Sequence, residues 1–101
     1  MASSKEYKDF VLEQCNNLSA RAMMGEYVLY YNGKVIGGIY DNRLLVKPTP
    51  SAISFMNEAQ RELPYEGAKE MLLVNDVDNK DFLTGLFNAM YNDLPAPKKK
   101  K

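Results

Sequence analysis

Residues 26–46 decide the fold, and they read EYVLYYNGKVIGGIYDNRLLV. The dipeptide Asn32-Gly33 separates two stretches that are rich in aromatic and β-branched residues. This dipeptide favours a type I′ turn, whose twist matches that of the two strands it joins. A second two-residue turn, Asp41-Asn42, leads into a shorter apolar stretch. The sequence therefore predicts a three-stranded antiparallel meander.

The lengths of the two turns predict how the strands pair and which residues share a face. A two-residue loop pairs Tyr31 with Lys34, and alternation along the strands then assigns the other residues. The first face is apolar and is expected to carry the helices: Val28, Tyr30, Val35, Gly37, Ile39, Leu44 and Val46. The second face holds Gly38 and nine residues that we call the predicted interaction face: Tyr27, Leu29, Tyr31, Lys34, Ile36, Tyr40, Arg43, Leu45 and Lys47.

A helix is predicted before the meander. Apolar residues at helical spacing cover residues 4–18, and Ser3 and Glu6 fit the S-x-x-E pattern of a capping box. A short strand over residues 20–24 follows, and a glycine ends it.

Two more helices and a strand are predicted after the meander. Thr49 and Pro50 fit the N-cap and the first position of a helix that runs to about residue 61. An apolar run over residues 69–74 predicts one more strand. A broad apolar stripe predicts a last helix over residues 80–93, capped by Asp78 or Asn79.

These elements predict a single two-layer α+β domain in the order α-β-β-β-β-α-β-α. An antiparallel sheet, the meander plus one or two strands, carries the helices on one face. Residues 1–95 are expected to form the domain. Residues 96–101 contain a proline and four lysines and are expected to be a disordered tail.

The composition excludes several classes of protein. The chain has 101 residues, of which 46% are hydrophobic and 26% are charged, which is typical of one soluble domain. No apolar run reaches the roughly 20 residues needed to cross a bilayer, and the start lacks a signal-like apolar region, so a cytoplasmic protein without membrane contact is expected. With no histidine and one cysteine, the sequence has no Ser-His-Asp triad, no Cys-His pair and no histidine-containing zinc site. Neither catalysis nor a metal or cofactor is expected.

The charges are unevenly distributed. The sequence has 13 basic and 13 acidic residues, and four of the basic ones are the terminal lysines 98–101. The rest of the chain therefore has nine basic residues against 13 acidic ones. Because affinity for duplex nucleic acid depends largely on neutralising phosphates, this balance does not favour a nucleic-acid binder.

Three motifs have ordinary structural explanations. Gly37 and Gly38 lie within a strand, so they do not form a phosphate-binding loop; they let a helix or a tyrosine approach the sheet closely. Asp76 and Asp78 begin like a calcium loop, but an aspartate follows where that loop needs glycine, so they are read as helix caps. Cys15 lies on the apolar face of the first helix and is expected to be a small buried residue.

Five segments resemble the TfoX N-terminal domain family, also called the TfoX/Sxy family, over nearly the whole chain. They are RAMMGEYVLYYNGK at 21–34, DNRLLVKPT at 41–49, PYEGAK at 64–69, DVD at 76–78 and LPAP at 94–97. The family is associated with bacterial regulators of natural competence, thought to act with the cyclic-AMP receptor protein at promoters. The resemblance implies an α/β fold built on an antiparallel sheet and brings no catalytic residues. The longer regulators continue into a C-terminal domain.

The sequence thus predicts a non-enzymatic regulatory or adaptor domain that acts through protein contacts. The predicted interaction face would bind a protein partner, which could belong to the transcription machinery, or a second copy of the chain. Alternatively, the chain itself covers this face. A third reading is a nucleic-acid-binding module that uses the tyrosines and basic residues of this face. A fourth is an enzyme that uses carboxylates in an unfamiliar arrangement.

Overall fold

The structure, a computed structural model, describes residues 4–23, 25–56 and 59–94. In these residues one antiparallel sheet of six strands carries three helices, which is the predicted α+β class. The strands lie in the order β1-β2-β3-β4-β6-β5. Along the chain the elements are α1 (Lys5–Glu13), β1 (Leu18–Met23), β2 (Glu26–Tyr31), β3 (Lys34–Tyr40), β4 (Arg43–Val46), α2 (Pro50–Phe55), β5 (Arg61–Glu62), β6 (Met71–Val74) and α3 (Lys80–Tyr91).

Both predicted turns of the meander are present. Asn32 and Gly33 have φ values of 50° and 87°, and Asp41 and Asn42 have φ values of 55° and 57°. Positive φ at both central residues is the requirement of a type I′ turn, and asparagine, aspartate and glycine tolerate it best. The strand pairs directly beside the two turns are the predicted ones.

A β-bulge in the first hairpin changes the predicted register. Leu29 pairs with Gly37 and not with Ile36, so Ile36 is an extra residue in β3. A Cβ atom on Gly37 would lie 2.1 Å from the carbonyl oxygen of Leu45 on β4, so only glycine fits there. Because side chains alternate along a strand, one extra residue moves the remainder of β3 to the other face relative to β2.

The predicted division of the two faces is therefore wrong for part of the hairpin. Val28, Tyr30 and Val35 were expected under the helices, but they lie on the side away from them. The helix face consists of Tyr27, Leu29, Tyr31, Lys34, Ile36, Ile39, Leu44, Val46, Leu72 and Val74. The outer face includes Val28, Tyr30, Val35, Gly38, Tyr40, Arg43 and Leu45.

The hydrophobic core lies between the helix face and the three helices. Val11 of α1, Ala52 of α2 and Phe87 of α3 are completely buried against it, together with Leu83, Leu86 and Met90 of α3. The ring of Phe87 lies 5.5 Å from that of Tyr31, measured between ring centres. This packing places all three helices on one face, as predicted.

The helix caps differ from the prediction at one position. Ser4 caps α1, because its Oγ accepts a hydrogen bond from the Tyr7 amide at 3.1 Å; Ser3 lies outside the described residues. Thr49 is confirmed as the cap of α2, and of the two candidates Asp78 and Asn79 it is Asn79 that caps α3, since Thr49 and Asn79 each accept a hydrogen bond from the amide three residues later. Helix α1 ends earlier than predicted, and Asn17, with a φ of 67°, leads into β1.

Helix α2 is shorter than predicted. It ends at Phe55, and Arg61–Glu62 pair with β6 as the short strand β5. The carboxylate of Glu62 forms an ion pair with Arg43 of β4, which favours this pairing over a longer helix. The predicted strand over 69–74 begins later, at Met71. The predicted disordered tail lies outside the described residues.

Candidate functional site

The bulge divides the predicted interaction face between the two sides of the sheet. Five of its nine residues lie on the helix face and four on the outer side, so the structure does not bring the nine together. On the helix face are Tyr27, Leu29, Tyr31, Lys34 and Ile36, and on the outer side are Tyr40, Arg43, Leu45 and Lys47.

Tyr31 is part of the core. Only 4% of its surface is exposed, and its ring packs against Phe87 and Tyr91. Its hydroxyl donates a hydrogen bond to Oδ1 of Asn88 at 2.6 Å. Burial raises the pKa of Tyr31 above its ordinary value. Together with Leu29, which has no exposed surface, Tyr31 holds the sheet against α3.

The other two polar residues of this group also contact the helices. The ammonium group of Lys34 donates to the carbonyl oxygen of Tyr91 at 3.1 Å and lies 4.0 Å from the centre of its ring. The ammonium group of Lys8 on α1 lies 5.4 Å from the centre of the Tyr27 ring. Both arrangements are cation–π contacts that join the sheet to a helix.

Tyr40 and Tyr65 form an aromatic pair on the outer face. Their ring centres are 6.0 Å apart, and Tyr40 is 8% exposed whereas Tyr65 is 59% exposed. The ring of Tyr40 covers Gly38 so closely that a Cβ atom there would lie 2.5 Å from it. This confirms that Gly38 lets a tyrosine approach the sheet. Burial raises the pKa of Tyr40.

Arg43 anchors the segment that carries Tyr65. Its guanidinium pairs with the carboxylate of Glu62 and donates to the carbonyl oxygens of Tyr40 at 3.1 Å and Leu63 at 3.2 Å. Through its contacts with Glu62 and Leu63, Arg43 holds the segment after β5 across the outer face.

An open groove lies between this segment and the sheet, and we call it the outer groove. Its volume is about 500 Å³. Val28 and Val35 contribute apolar surface from the sheet, and the aromatic pair forms one side. The described residues that line it are Val28, Val35, Gly37, Tyr40, Lys47, Pro48, Thr49, Pro64, Tyr65, Ala68, Lys69, Glu70 and Met71.

Sequence reasoning found Tyr40 and Lys47 but missed the rest of the groove. Tyr65 and Met71 follow α2 in the sequence. The alternation of residues along a strand carries no information about which later loop crosses the sheet. The available signal was the aromatic residue in the Leu63-Pro64-Tyr65 turn, because a turn usually lies at the surface and exposed apolar patches there mark contact surfaces.

The outer groove can provide apolar contact, two aromatic rings and the ammonium groups of Lys47 and Lys69, with Glu70 beside them. Among residues 4–23, 25–56 and 59–94, no three histidine, cysteine, aspartate or glutamate side chains come together as metal ligands. Cys15 is buried as predicted, with its sulfur 3.5 Å from Oγ1 of Thr84. None of the helices in that part of the chain is long and apolar enough to span a bilayer.

The tyrosines and basic residues of the nucleic-acid reading do not all share one surface. Tyr31 lies in the core, Lys34 contacts Tyr91, and Arg43 is paired with Glu62. Only Tyr40 and Lys47 line the outer groove.

The fold and the groove define a small α+β domain with one face under helices and one face partly open. The chain belongs to the TfoX N-terminal domain family, whose model matches residues 11–83. It is also 37% identical over 105 residues to an uncharacterised 12.7 kDa protein in the trpE 5′ region of Spirochaeta aurantia. That alignment covers 100% of this chain and 91% of the relative. No solved structure matches the chain significantly. The TfoX N-terminal domain family is not a known enzyme family.

Proposed function

We propose that this chain is a non-enzymatic regulatory or adaptor domain that binds a protein partner through the outer groove. The observation that carries the proposal is the open apolar floor of the groove beside a tyrosine pair, in which Tyr40 is buried and Tyr65 is exposed. Aromatic residues next to apolar pockets are typical of protein interfaces and contribute most to their affinity. The association of the TfoX N-terminal domain family with competence regulators supports a regulatory role.

The charges of the groove indicate the kind of partner. Among the described residues of the lining are Lys47 and Lys69 with a single carboxylate, that of Glu70, and Arg43 nearby is already paired. The lining therefore has a net positive charge. The complementary partner is a protein segment whose apolar side chains enter the groove and whose carboxylates meet the two lysines.

The proposal is tested by retaining proteins from the lysate of the source cells on the immobilised chain, in low and in high salt, and identifying them by mass spectrometry. The affinity of each retained protein is then measured for the native chain and for Tyr65→Ala and Lys69→Glu. Tyr65→Ala is expected to weaken binding about tenfold or more, as loss of a central aromatic does. Lys69→Glu is expected to weaken binding mainly in low salt, because salt screens exposed charges.

Lys80→Glu is the matched control, since Lys80 is exposed at the start of α3 and does not line the groove. It is expected to leave the affinity unchanged. Equal binding by Tyr65→Ala and the native chain would exclude the outer groove as the surface. Retention of nucleic acid alone, lost in high salt, would replace the proposal with the nucleic-acid reading.

A further inference from the structure

Among the described residues, strand β1 forms one edge of the sheet and pairs only with β2. The amide of Asn32 donates to the carbonyl oxygen of Asn17 at 3.0 Å, so the odd-numbered residues here bond toward β2. In an antiparallel pair the two backbone groups of a residue point the same way, and successive residues alternate. The amide and carbonyl groups of Leu18, Ala20 and Ala22 therefore point away from the sheet.

In the part of the chain that the structure describes, this edge lacks the usual protection against pairing with another strand. Proteins protect sheet edges with short strands, prolines, bulges or several charges. The opposite edge, β5, has two residues, whereas β1 has six, with no proline and Arg21 as its one charge. Its register against β2 is unbroken, and Ser19, Arg21, Ala22 and Met23 are exposed.

We propose that β1 pairs with β1 of a second copy of this chain, antiparallel, about a two-fold axis through Ala20. Leu18 of each copy then lies opposite Ala22 of the other, and the two Ala20 residues face each other. The three outward amides and three outward carbonyls of one copy all find partners in the other. The backbone groups of the strand are therefore self-complementary in this register.

The charge of Arg21 selects this register. An axis through Arg21 would place two arginines directly opposite each other, which is unfavourable. An axis through Ala20 places Arg21 opposite the small hydroxyl side chain of Ser19, on the outer face of both copies. A shift toward the start of the strand is blocked because Asn17, with a φ of 67°, is not extended.

The pairing joins the two sheets into one continuous sheet. Because the axis is perpendicular to the sheet, both sets of helices lie on one side and both outer grooves open on the other. The dimer would therefore present two copies of the groove to the same side, although the dimer itself does not depend on what the groove binds.

The oligomeric state is measured by sedimentation velocity over a wide range of protein concentrations, for the native chain and for three variants. A dimer is expected for the native chain. Ala20→Pro removes an outward amide that β2 does not use, so the variant should fold, as circular dichroism would show, and remain monomeric. Ser19→Asp and Ser19→Lys change an exposed side chain opposite Arg21, so they test the register without altering the edge backbone.

Ser19→Asp is expected to tighten the dimer and Ser19→Lys to weaken it, each roughly two- to thirtyfold, since the pair occurs twice about the axis. Exchange of the amide hydrogens of Leu18, Ala20 and Ala22 should slow as the protein concentration rises. A native chain that stays monomeric at all concentrations would overturn the proposal. A dimer that responds in the same direction to both Ser19 variants, or whose three amides exchange at a rate independent of concentration, would place the interface elsewhere.

Discussion

Gly37→Ala tests the bulge, the feature that assigns the residues of the sheet to its two faces. The added methyl group would lie 2.1 Å from the carbonyl oxygen of Leu45 and 2.7 Å from the Cα of Val46. Both contacts are to backbone atoms of β4, which cannot rotate away as a side chain does. To bring the Leu45 contact to 3.0 Å, the two strands must move apart by 3.0 − 2.1 = 0.9 Å at the centre of the sheet.

The expected loss follows from this displacement. Overpacking a well-packed core costs about 1–3 kcal/mol, and separating β3 from β4 also weakens their hydrogen bonds. We therefore expect the free energy of unfolding to fall by about 3 kcal/mol, the upper end of that range. For a domain of this size, such a loss lowers the melting temperature by roughly 12–24 °C.

The assay is guanidinium unfolding followed by circular dichroism, with Gly85→Ala as the control. Gly85 lies within α3, and a methyl group there would meet only the end of the Phe55 ring at 3.2 Å. Phe55 is 43% exposed and can move, while alanine favours a helix over glycine by about 1 kcal/mol. Gly85→Ala should therefore be as stable as the native chain or more stable. If Gly37→Ala instead stays within about 0.5 kcal/mol of the native chain, Gly37 does not approach β4 and the bulge is misplaced.

Three further predictions concern the helices and the contacts at their ends. Thr49→Ala is expected to lower the free energy of unfolding by about 1 kcal/mol, because Oγ1 of Thr49 accepts a hydrogen bond from the Ala52 amide at 3.1 Å. Urea unfolding should show this loss, and Thr49→Ser should restore the stability. Phe87→Ala should cost about 3–5 kcal/mol, since the ring is completely buried, and a loss below about 1 kcal/mol would contradict the core described for α3. The Asp93 carboxylate accepts hydrogen bonds from Ser51, which hold its pKa below the ordinary value of 3.8. The stability that it adds is present above that value and is lost as the pH falls through the lower pKa of the folded state. Unfolding measured over a series of acid pH values should thus show a smaller loss for Asp93→Asn than for the native chain.

The local signals of the sequence predicted most of the fold. Asn32-Gly33 and Asp41-Asn42 indicated their turns because positive φ suits few other residues, and Thr49 with Pro50 indicated the start of α2 by a similar local preference. The two-residue strand β5 was missed, because a strand of that length has no periodicity and depends on contacts such as the Arg43–Glu62 ion pair.

The candidate site was predicted less well, and for a single physical reason. Alternation assigns faces correctly only while a strand pair has no extra residue, and Ile36 breaks that condition between two correctly predicted turns. Gly37 was the signal of the bulge, since glycine inside a strand often marks one. The contribution of Tyr65 depends on where a loop crosses the sheet, which no local pattern contains.

The position of α3 in the chain has a consequence for synthesis. Leu83, Leu86, Phe87 and Met90 of α3 cover the helix face of a sheet whose six strands are all made before it. On the ribosome the meander can pair through its two short turns as soon as it emerges, but Tyr31 and Ile39 stay uncovered until α3 follows. A nascent chain stalled before residue 80 would therefore expose an apolar sheet surface. The meander, which forms first, would then be the segment most prone to aggregate.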